Sequence, residues 1–248
     1  MTADSHAHYT DSAFDGIRDT VVSESLAACG IIVGSGYDTD SSFAALALAD
    51  RYDGMYASVG IHPQYDGDVS VIEHLCATRT AAKIVAVGEI GLDYRNADDA
   101  ERSRQRDMFV SQIEIAEEYD LPIVIHCVKA WGDMTEILRR YRPKGIMHGF
   151  TGSAETAEEL LRLGMYISFG GRLTYPDARK AHRALCAVPD DRLLLETDAP
   201  YGAPAGHEGP SCGTMLYDTA AFAAMLRGTR TEDLTARINE NTARIYGI

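Results

Sequence analysis

The chain has 248 residues, 46% of them hydrophobic, and a formal net charge of −14. This length and apolar fraction suit one large domain with a sizeable core. The charge excludes a general nucleic-acid-binding surface, which depends on Lys and Arg to neutralise phosphates, but not a phosphate substrate at a metal site.

The cysteines and the N-terminal segment indicate where the protein resides. The sequence contains five cysteines and no C-x-x-C pair, a composition that favours a reducing compartment. Residues 1–10 have neither a basic region nor an apolar stretch typical of a signal peptide. No apolar run is long enough to span a bilayer. We therefore expect a cytoplasmic protein without a membrane partner.

Strand-like and helix-like segments alternate along the chain. The clearest helical patterns cover Ala100–Tyr119, Tyr175–Val188 with Pro176 in the first turn, and Thr231–Tyr246, and Pro200–Gly213 reads as a long loop. Eight such units predict an α/β fold, a closed (β/α)8 TIM barrel formed by residues 1–248 as one domain, with an open doubly wound sheet as the alternative. The eight expected strands are Ala3–His8, Gly30–Ser35, Met55–His62, Ile84–Leu92, Pro122–Val128, Gly145–Phe150, Met165–Gly170 and Leu193–Thr197.

Polar side chains lie in or at the ends of several predicted strands. His6 and His8 belong to the first segment, and residues two apart in a strand face the same side. Two imidazoles at this spacing could chelate one metal ion, although an isolated H-x-H motif is a weak signal. Similar residues occur in the other segments: His62, Glu89, His126, His148 and Asp198.

Taken singly, each of these residues could be a hydrogen-bonded polar group of the core. Together they are better explained by a shared site, because buried carboxylates and imidazoles are costly unless they are paired or bound to metal. An open sheet would keep the ends of the first and eighth strands apart, whereas a closed barrel brings them together. The pattern therefore favours a closed barrel with a metal site at the carboxyl ends of its strands.

These residues belong to motifs that resemble those of the TatD family, the metal-dependent deoxyribonucleases and related hydrolases within the amidohydrolase-like barrels. The resemblance covers essentially the whole chain. It rests on Asp4-Ser5-His6-Ala7-His8, Gly60-Ile61-His62-Pro63, Gly88-Glu89-Ile90-Gly91-Leu92-Asp93-Tyr94, His126, His148-Gly149-Phe150-Thr151-Gly152 and Glu196-Thr197-Asp198-Ala199-Pro200-Tyr201.

The resemblance implies two divalent metal ions that share Glu89 as a bridging ligand. Asp198 would also act as the general base, and so many imidazoles favour Zn, Mn or Ni over Mg. The first ion would be held by His6, His8, Glu89 and Asp198, and the second by Glu89, His126 and His148.

Two acidic residues are candidates for orienting these ligands. Asp4 and Glu196 precede His6 and Asp198 by two residues, so they would lie one layer deeper on the same face of their strands. Carboxylates in such positions commonly hold the second nitrogen of a metal-binding imidazole.

The resemblance is weaker among the residues that would contact substrate. We expect His62, Arg95 and Arg172 to bind substrate, although His62 could equally be a hydrogen-bonded wall of the mouth. Arg95, Arg172 or His207 could compensate for basic or imidazole side chains that are usual in the family but absent from several positions of this chain. These positions are Gln64, Val128, Pro176 and the loop 202–213.

The resulting functional hypothesis is hydrolysis of a phosphodiester or related ester, with a 3′-5′ exonuclease acting on DNA ends as the family default. Hydrolysis of a carboxylic ester or amide, including deacylation, is an alternative. A non-catalytic metal-binding barrel is a second alternative. A barrel whose site had lost its catalytic role would be expected to have lost metal ligands, and here the ligand set is complete.

Overall fold

The apolar runs of the sequence form parallel strands that are buried in the centre of the protein. The structure, a computed structural model, describes residues 1–78 and 83–248. Within these residues the strands pair in chain order into one eight-stranded parallel sheet. They are β1 (Asp4–Ala7), β2 (Ile32–Ser35), β3 (Met55–Val59), β4 (Ile84–Asp93), β5 (Ile123–Val128), β6 (Gly145–Met147), β7 (Tyr166–Phe169) and β8 (Leu193–Leu195).

The ring closes between β1 and the segment that follows β8. The backbone N–H of Asp198 donates to the carbonyl of His6 at 3.0 Å, and that of His8 donates to the carbonyl of Ala199 at 2.6 Å. Inside the ring, the hydroxyl of Ser5 donates to the carbonyl of Leu195 at 2.9 Å. The prediction of a closed barrel is confirmed, and the open sheet is wrong.

Helices follow the strands and cover the outside of the barrel. The longest, α4, begins where the Asp98 carboxylate accepts a hydrogen bond from the N–H of Glu101 at 2.9 Å, and it buries Phe109 and Ile113. In the described part of the chain the α-helices are α1 (Arg18–Cys29), α2 (Thr39–Arg51), α3 (Val69–Ala77), α4 (Asp99–Glu118), α5 (Trp131–Tyr141), α6 (Ala154–Arg162), α7 (Arg179–Ala187), α8 (Leu216–Arg227) and α9 (Thr231–Tyr246).

One predicted helix begins later than the sequence pattern indicates. We expected Tyr175–Val188 to be helical, but α7 starts at Arg179. The N–H of Ala178 donates to the carbonyl of Tyr175 at 3.0 Å, so these residues form a turn. Pro176 occupies the second position of that turn, where its fixed φ angle is favourable. The predicted helices at Ala100–Tyr119 and Thr231–Tyr246 agree with α4 and α9 to within one residue.

The loop predicted after the eighth strand is also found in the structure. The long segment between β8 and the short 3-10 helix Gly213–Met215 is irregular, as expected from its Gly and Pro content. Cys29 is buried, whereas Cys127 is only half-buried. Among the helices of residues 1–78 and 83–248, none has the length and apolarity needed to cross a membrane.

Candidate metal centre

Glu89, on β4, lies at the centre of the predicted site and is buried, with 4% of its surface exposed. Its Oε2 lies 3.5 Å from Nε2 of His6 and 3.1 Å from Nε2 of His8. Its Oε1 lies 2.9 Å from both Nδ1 of His126 and Nε2 of His148. Each carboxylate oxygen therefore faces a separate pair of imidazoles.

Asp198 joins the group on the Oε2 side. Its Oδ1 lies 3.6 Å from Nε2 of both His6 and His8. The residue has a left-handed backbone conformation, with φ of 55°. Aspartate tolerates this conformation better than most residues, and here it turns the chain so that the carboxylate faces β1.

The other ring nitrogens of the first imidazole pair are held by the end of β2. Nδ1 of His8 lies 3.0 Å from the carbonyl of Ser35, and Nδ1 of His6 lies 2.9 Å from the hydroxyl of the same residue. That hydroxyl accepts a further hydrogen bond from Ser58 at 2.8 Å. Because a carbonyl only accepts, Nδ1 of His8 carries the proton and Nε2 presents its lone pair to the site.

Carboxylates hold the second imidazole pair in the same way. Nδ1 of His148 lies 3.3 Å from Oε1 of Glu196, and Nε2 of His126 lies 3.1 Å from Oδ2 of Asp93. Asp93 is itself fixed by the guanidinium of Arg95, whose Nε lies 3.0 Å from both carboxylate oxygens. Both imidazoles are thus oriented with their remaining nitrogen toward Glu89.

Sequence reasoning missed two of these orienting residues and misplaced another. Ser35 and Asp93 both end strands, and the motif around Glu89 already contains Asp93, so the strand-end rule could have found them. Asp4 does not contact an imidazole ring: its carboxylate accepts hydrogen bonds from the backbone and hydroxyl of Thr197, at 2.9 and 2.6 Å. Asp4 therefore fastens β1 to the segment after β8, whereas Glu196 lies against a ring as expected.

The electrostatics of the cluster call for positive charge at its centre. Burial lowers the pKa of His6 to about 4, so its imidazole is neutral at neutral pH. Burial alone would raise the pKa of Glu89, but the surrounding histidines, His148 foremost, hold it well below its usual value. Burial also raises the pKa of Asp198 to about 6.

This donor set fits divalent metal ions. Lone pairs of imidazoles and carboxylates converge on common points, an arrangement that is repulsive unless a proton or a cation lies between them. Around this centre there are two groups of three residues, and within each group the ligand atoms all lie within 4.8 Å of one another. The groups are His6 with Glu89 and His148, and His6 with His8 and Asp198.

A third group with metal-like spacing contains His62, Asp93 and His126. The Asp93 carboxylate is already occupied by Arg95 and His126, so it is better suited to orienting than to binding metal. His62 lies beside the centre, with its Nε2 3.5 Å from Oε1 of Glu89, while its Nδ1 accepts a hydrogen bond from the N–H of Gln64.

A cavity of about 410 Å³ opens over the cluster, and two of the three residues expected to contact substrate line it. These are His62 and Arg95, the latter half-exposed. Arg172 is different: it lines a neighbouring chamber, and its guanidinium stacks on the ring of Tyr175 at 4.3 Å. His207 pairs with Asp218 at 2.6 Å and does not line the cavity over the cluster.

Three tyrosines that the sequence reasoning did not single out surround the mouth of this cavity. Tyr37 and Tyr65 lie side by side with ring centroids 5.0 Å apart, and the ring centroid of Tyr201 lies 6.2 Å from that of His8. Tyr65 and Tyr201 are 42% and 54% exposed. The hydroxyl of Tyr201 donates to Asp11 at 2.8 Å, which fixes that ring. We call Tyr37, Tyr65 and Tyr201 the tyrosine rim.

Comparison with known proteins places the chain in a family. The family model described as TatD related DNase matches residues 3–247. The chain belongs to this family. A TatD homologue from Escherichia coli K12, YjjV, has a solved structure that is 31% identical and superposes with a TM-score of 0.92, over 100% of this chain and 98% of that one.

Two curated members of the TatD family are also similar over nearly their full length. The uncharacterized metal-dependent hydrolase YabD of Bacillus subtilis is 34% identical, with both chains covered completely. The 3′-5′ ssDNA/RNA exonuclease TatD of Klebsiella pneumoniae is 31% identical over 96% of this chain and 95% of its own. The family resemblance of the sequence motifs is therefore confirmed.

The position of Glu89 predicts how the histidines titrate when metal has been removed. Burial lowers the pKa of His148, but Glu89 and Glu196 together raise it well above its usual value. Glu89→Gln should therefore shift the titration of His148 to lower pH, because the neutral amide no longer stabilises the imidazolium. NMR titration of chelator-treated protein measures this shift. Glu208→Gln, an exposed change of the same kind, is the control, and an unaltered His148 midpoint in Glu89→Gln would contradict the geometry.

Proposed function

We propose that this TatD-family chain hydrolyses phosphodiester bonds at the ends of single-stranded nucleic acids, in the manner of a 3′-5′ exonuclease, with two divalent metal ions. The observation that carries the proposal is the position of Glu89, whose two oxygens face separate sets of donors. A complete donor set with every imidazole oriented argues against a non-catalytic barrel.

The metal ligands follow from these two sets. His6, His8 and Asp198 would hold one ion and His126 and His148 the other, with Glu89 shared between them. The abundance of imidazole favours Zn, Mn or Ni over Mg. When bound, such ions polarise the phosphoryl oxygen and lower the pKa of water.

The side chains of the chain itself perform the remaining tasks. Asp198 has one carboxylate directed at the cluster and a side chain that is 29% exposed to the cavity, so it can accept a proton from the attacking water. His62 and Arg95 line the same cavity and would contact the phosphodiester oxygens. Water bonds to phosphorus as Asp198 accepts its proton, the ester P–O bond breaks, and that proton passes to the departing oxygen, which leaves as the alcohol.

The tyrosine rim and the charge of the protein support a single-stranded end as substrate. Exposed aromatic rings stack on unpaired bases regardless of sequence, whereas the bases of a duplex are already stacked on each other. The net charge of −14 opposes binding of a long polyanion along the surface. A terminal base on the tyrosine rim would place the adjacent phosphodiester over the cluster.

Replacing Asp198 by asparagine tests its role as the general base. Asparagine keeps the size of the side chain, one oxygen and the tolerance for a left-handed backbone, but it cannot accept the proton. We expect turnover to fall by about 10²–10⁴-fold while circular dichroism and thermal unfolding stay close to native. A variant that retains both normal metal content and native turnover would show that Asp198 is not the base.

A comparison of single-stranded and duplex substrates tests the proposed substrate class. The kcat/KM should be higher for a small phosphodiester or a single-stranded oligonucleotide than for duplex DNA, and the salt dependence for long DNA should be shallow because few phosphates are neutralised. Tyr65→Ala should lower kcat/KM for the oligonucleotide by about fivefold or more through lost stacking. Tyr217→Ala, an exposed tyrosine on α8, is the control.

Three outcomes of this panel would contradict the proposal. Efficient cleavage of duplex DNA, together with a steep dependence of DNA binding on salt concentration, would show that the protein is a nuclease for duplexes. Turnover of carboxylic esters or amides, with none of phosphodiesters, would instead identify the alternative hydrolase. Equal losses in Tyr65→Ala and Tyr217→Ala would remove the tyrosine rim from substrate binding.

A further inference from the structure

A second cavity, of about 440 Å³, adjoins the metal centre on the far side of Asp198 from the tyrosine rim. It lies between the loops that follow β6, β7 and β8, and we call it the β6–β8 chamber. Its volume lies in the range of small-molecule sites. Apolar side chains form much of its wall, among them Phe150, Phe169 and Leu173. Because Asp198 lines both cavities, a substrate could extend from the cluster in either direction.

The buried carboxylate of Glu196 forms part of the inner end of the chamber. Glu196 is fully buried and lines the chamber; its Oε1 is used by His148 and by the N–H of Gly149, at 3.3 and 2.7 Å. Its Oε2 has no hydrogen-bond partner among the residues that the structure describes. Because this carboxylate also orients the imidazole of His148, the inner end of the chamber adjoins the metal centre.

Glycine keeps space open beside this carboxylate. A Cβ built on Gly170 would lie 3.6 Å from Cγ of Glu196, and its three nearest heavy atoms would all belong to that residue. This is ordinary van der Waals contact, and Gly170 has a φ of −99°, which any residue can adopt. The glycine is therefore not required by the backbone, and a larger side chain there would fill the inner end of the chamber.

The mouth of the chamber carries positive charge. The exposed cations Arg172, Arg179 and Lys180 line the chamber, against one exposed acidic residue, Asp177, whose carboxylate lies 3.9 Å from Arg172. The other two acidic residues of its lining, Glu196 and Asp198, belong to its inner end. The helix α7 also begins here, and no side chain caps its first turn at Ala178. An uncapped helix N-terminus with two adjacent cations attracts anions, and the loops after strands seven and eight of such barrels often bind phosphate.

We propose that the β6–β8 chamber binds the nucleotide unit on the strand side of the scissile phosphate, with the next phosphate at Arg179 and Lys180. The inference rests on the proposed function, since it assumes that the scissile phosphate lies at the metal centre. The terminal nucleotide then occupies the tyrosine rim, and the strand leaves through the chamber. A substrate that occupies both cavities therefore contains at least two nucleotides.

Direct binding tests the chamber without reference to turnover. Calorimetric titrations of the metal-saturated protein would compare adenosine 3′,5′-bisphosphate, adenosine 3′-monophosphate and inorganic phosphate. The bisphosphate should bind about tenfold more tightly than the monophosphate, the factor for one charge-assisted contact. In Arg179→Ala/Lys180→Ala this difference should fall below about twofold, because the second phosphate loses its partners.

Two further variants separate the chamber from general effects. Arg162→Ala/Arg183→Ala removes the same charge from exposed positions that do not line the chamber, and it should preserve the tenfold difference. Gly170→Val should weaken both adenosine ligands by about tenfold by filling the inner end, while binding of inorganic phosphate and metal content stay native.

The results distinguish this inference from the proposed function. Equal affinity of the native protein for the two adenosine ligands, the same loss in both double variants, or no effect of Gly170→Val would overturn the chamber even if phosphodiesters are cleaved. If phosphodiesters are not cleaved but the bisphosphate binds with these dependences, the proposed reaction fails while the chamber remains an anion-binding site.

Discussion

The buried carboxylate of Glu89 is the constraint on which the site depends. An ionised carboxylate inside a barrel is costly unless its oxygens are paired, and here each oxygen is paired with two imidazoles. The histidines that hold the pKa of Glu89 down are also the groups that would bind metal beside it. The same attraction therefore supports the protein without metal and, under the proposed function, would favour a cation beside either oxygen.

The barrel makes this arrangement attainable for residues that are distant in the sequence. His6 and Asp198 are brought together because the backbone of Asp198 hydrogen-bonds to that of His6 where the ring closes. Backbone and side chains at the ends of β2, β4 and β8 then fix the ring orientations through Ser35, Asp93 and Glu196. Ligand direction is thus set by rigid strands, whereas the tyrosine rim and the β6–β8 chamber are built largely from loops.

The sequence could predict the barrel and the central donors because both follow from short-range patterns. Apolar runs with polar residues in or after them mark parallel strands, and the six proposed ligands lie within those strands or shortly after their carboxyl ends. It could not predict side-chain partners: Asp4 was expected to orient an imidazole, yet it accepts hydrogen bonds from Thr197 where the ring closes. Arg172 was expected to contact substrate, and the short 3-10 helix Gly171–Thr174 places it in the β6–β8 chamber and not in the cavity over the cluster. Such outcomes depend on loop geometry, which leaves no periodic signal.

The central claim is that Glu89 bridges two metal sites, and anomalous diffraction from crystals grown with Mn²⁺ tests it most directly. The account predicts two peaks about 3.5–4 Å apart, one on the Oε2 side of Glu89 near His6 and His8 and one on the Oε1 side near His126 and His148. A single peak at saturating Mn²⁺, or a peak between His62 and Asp93 in place of either, would contradict it.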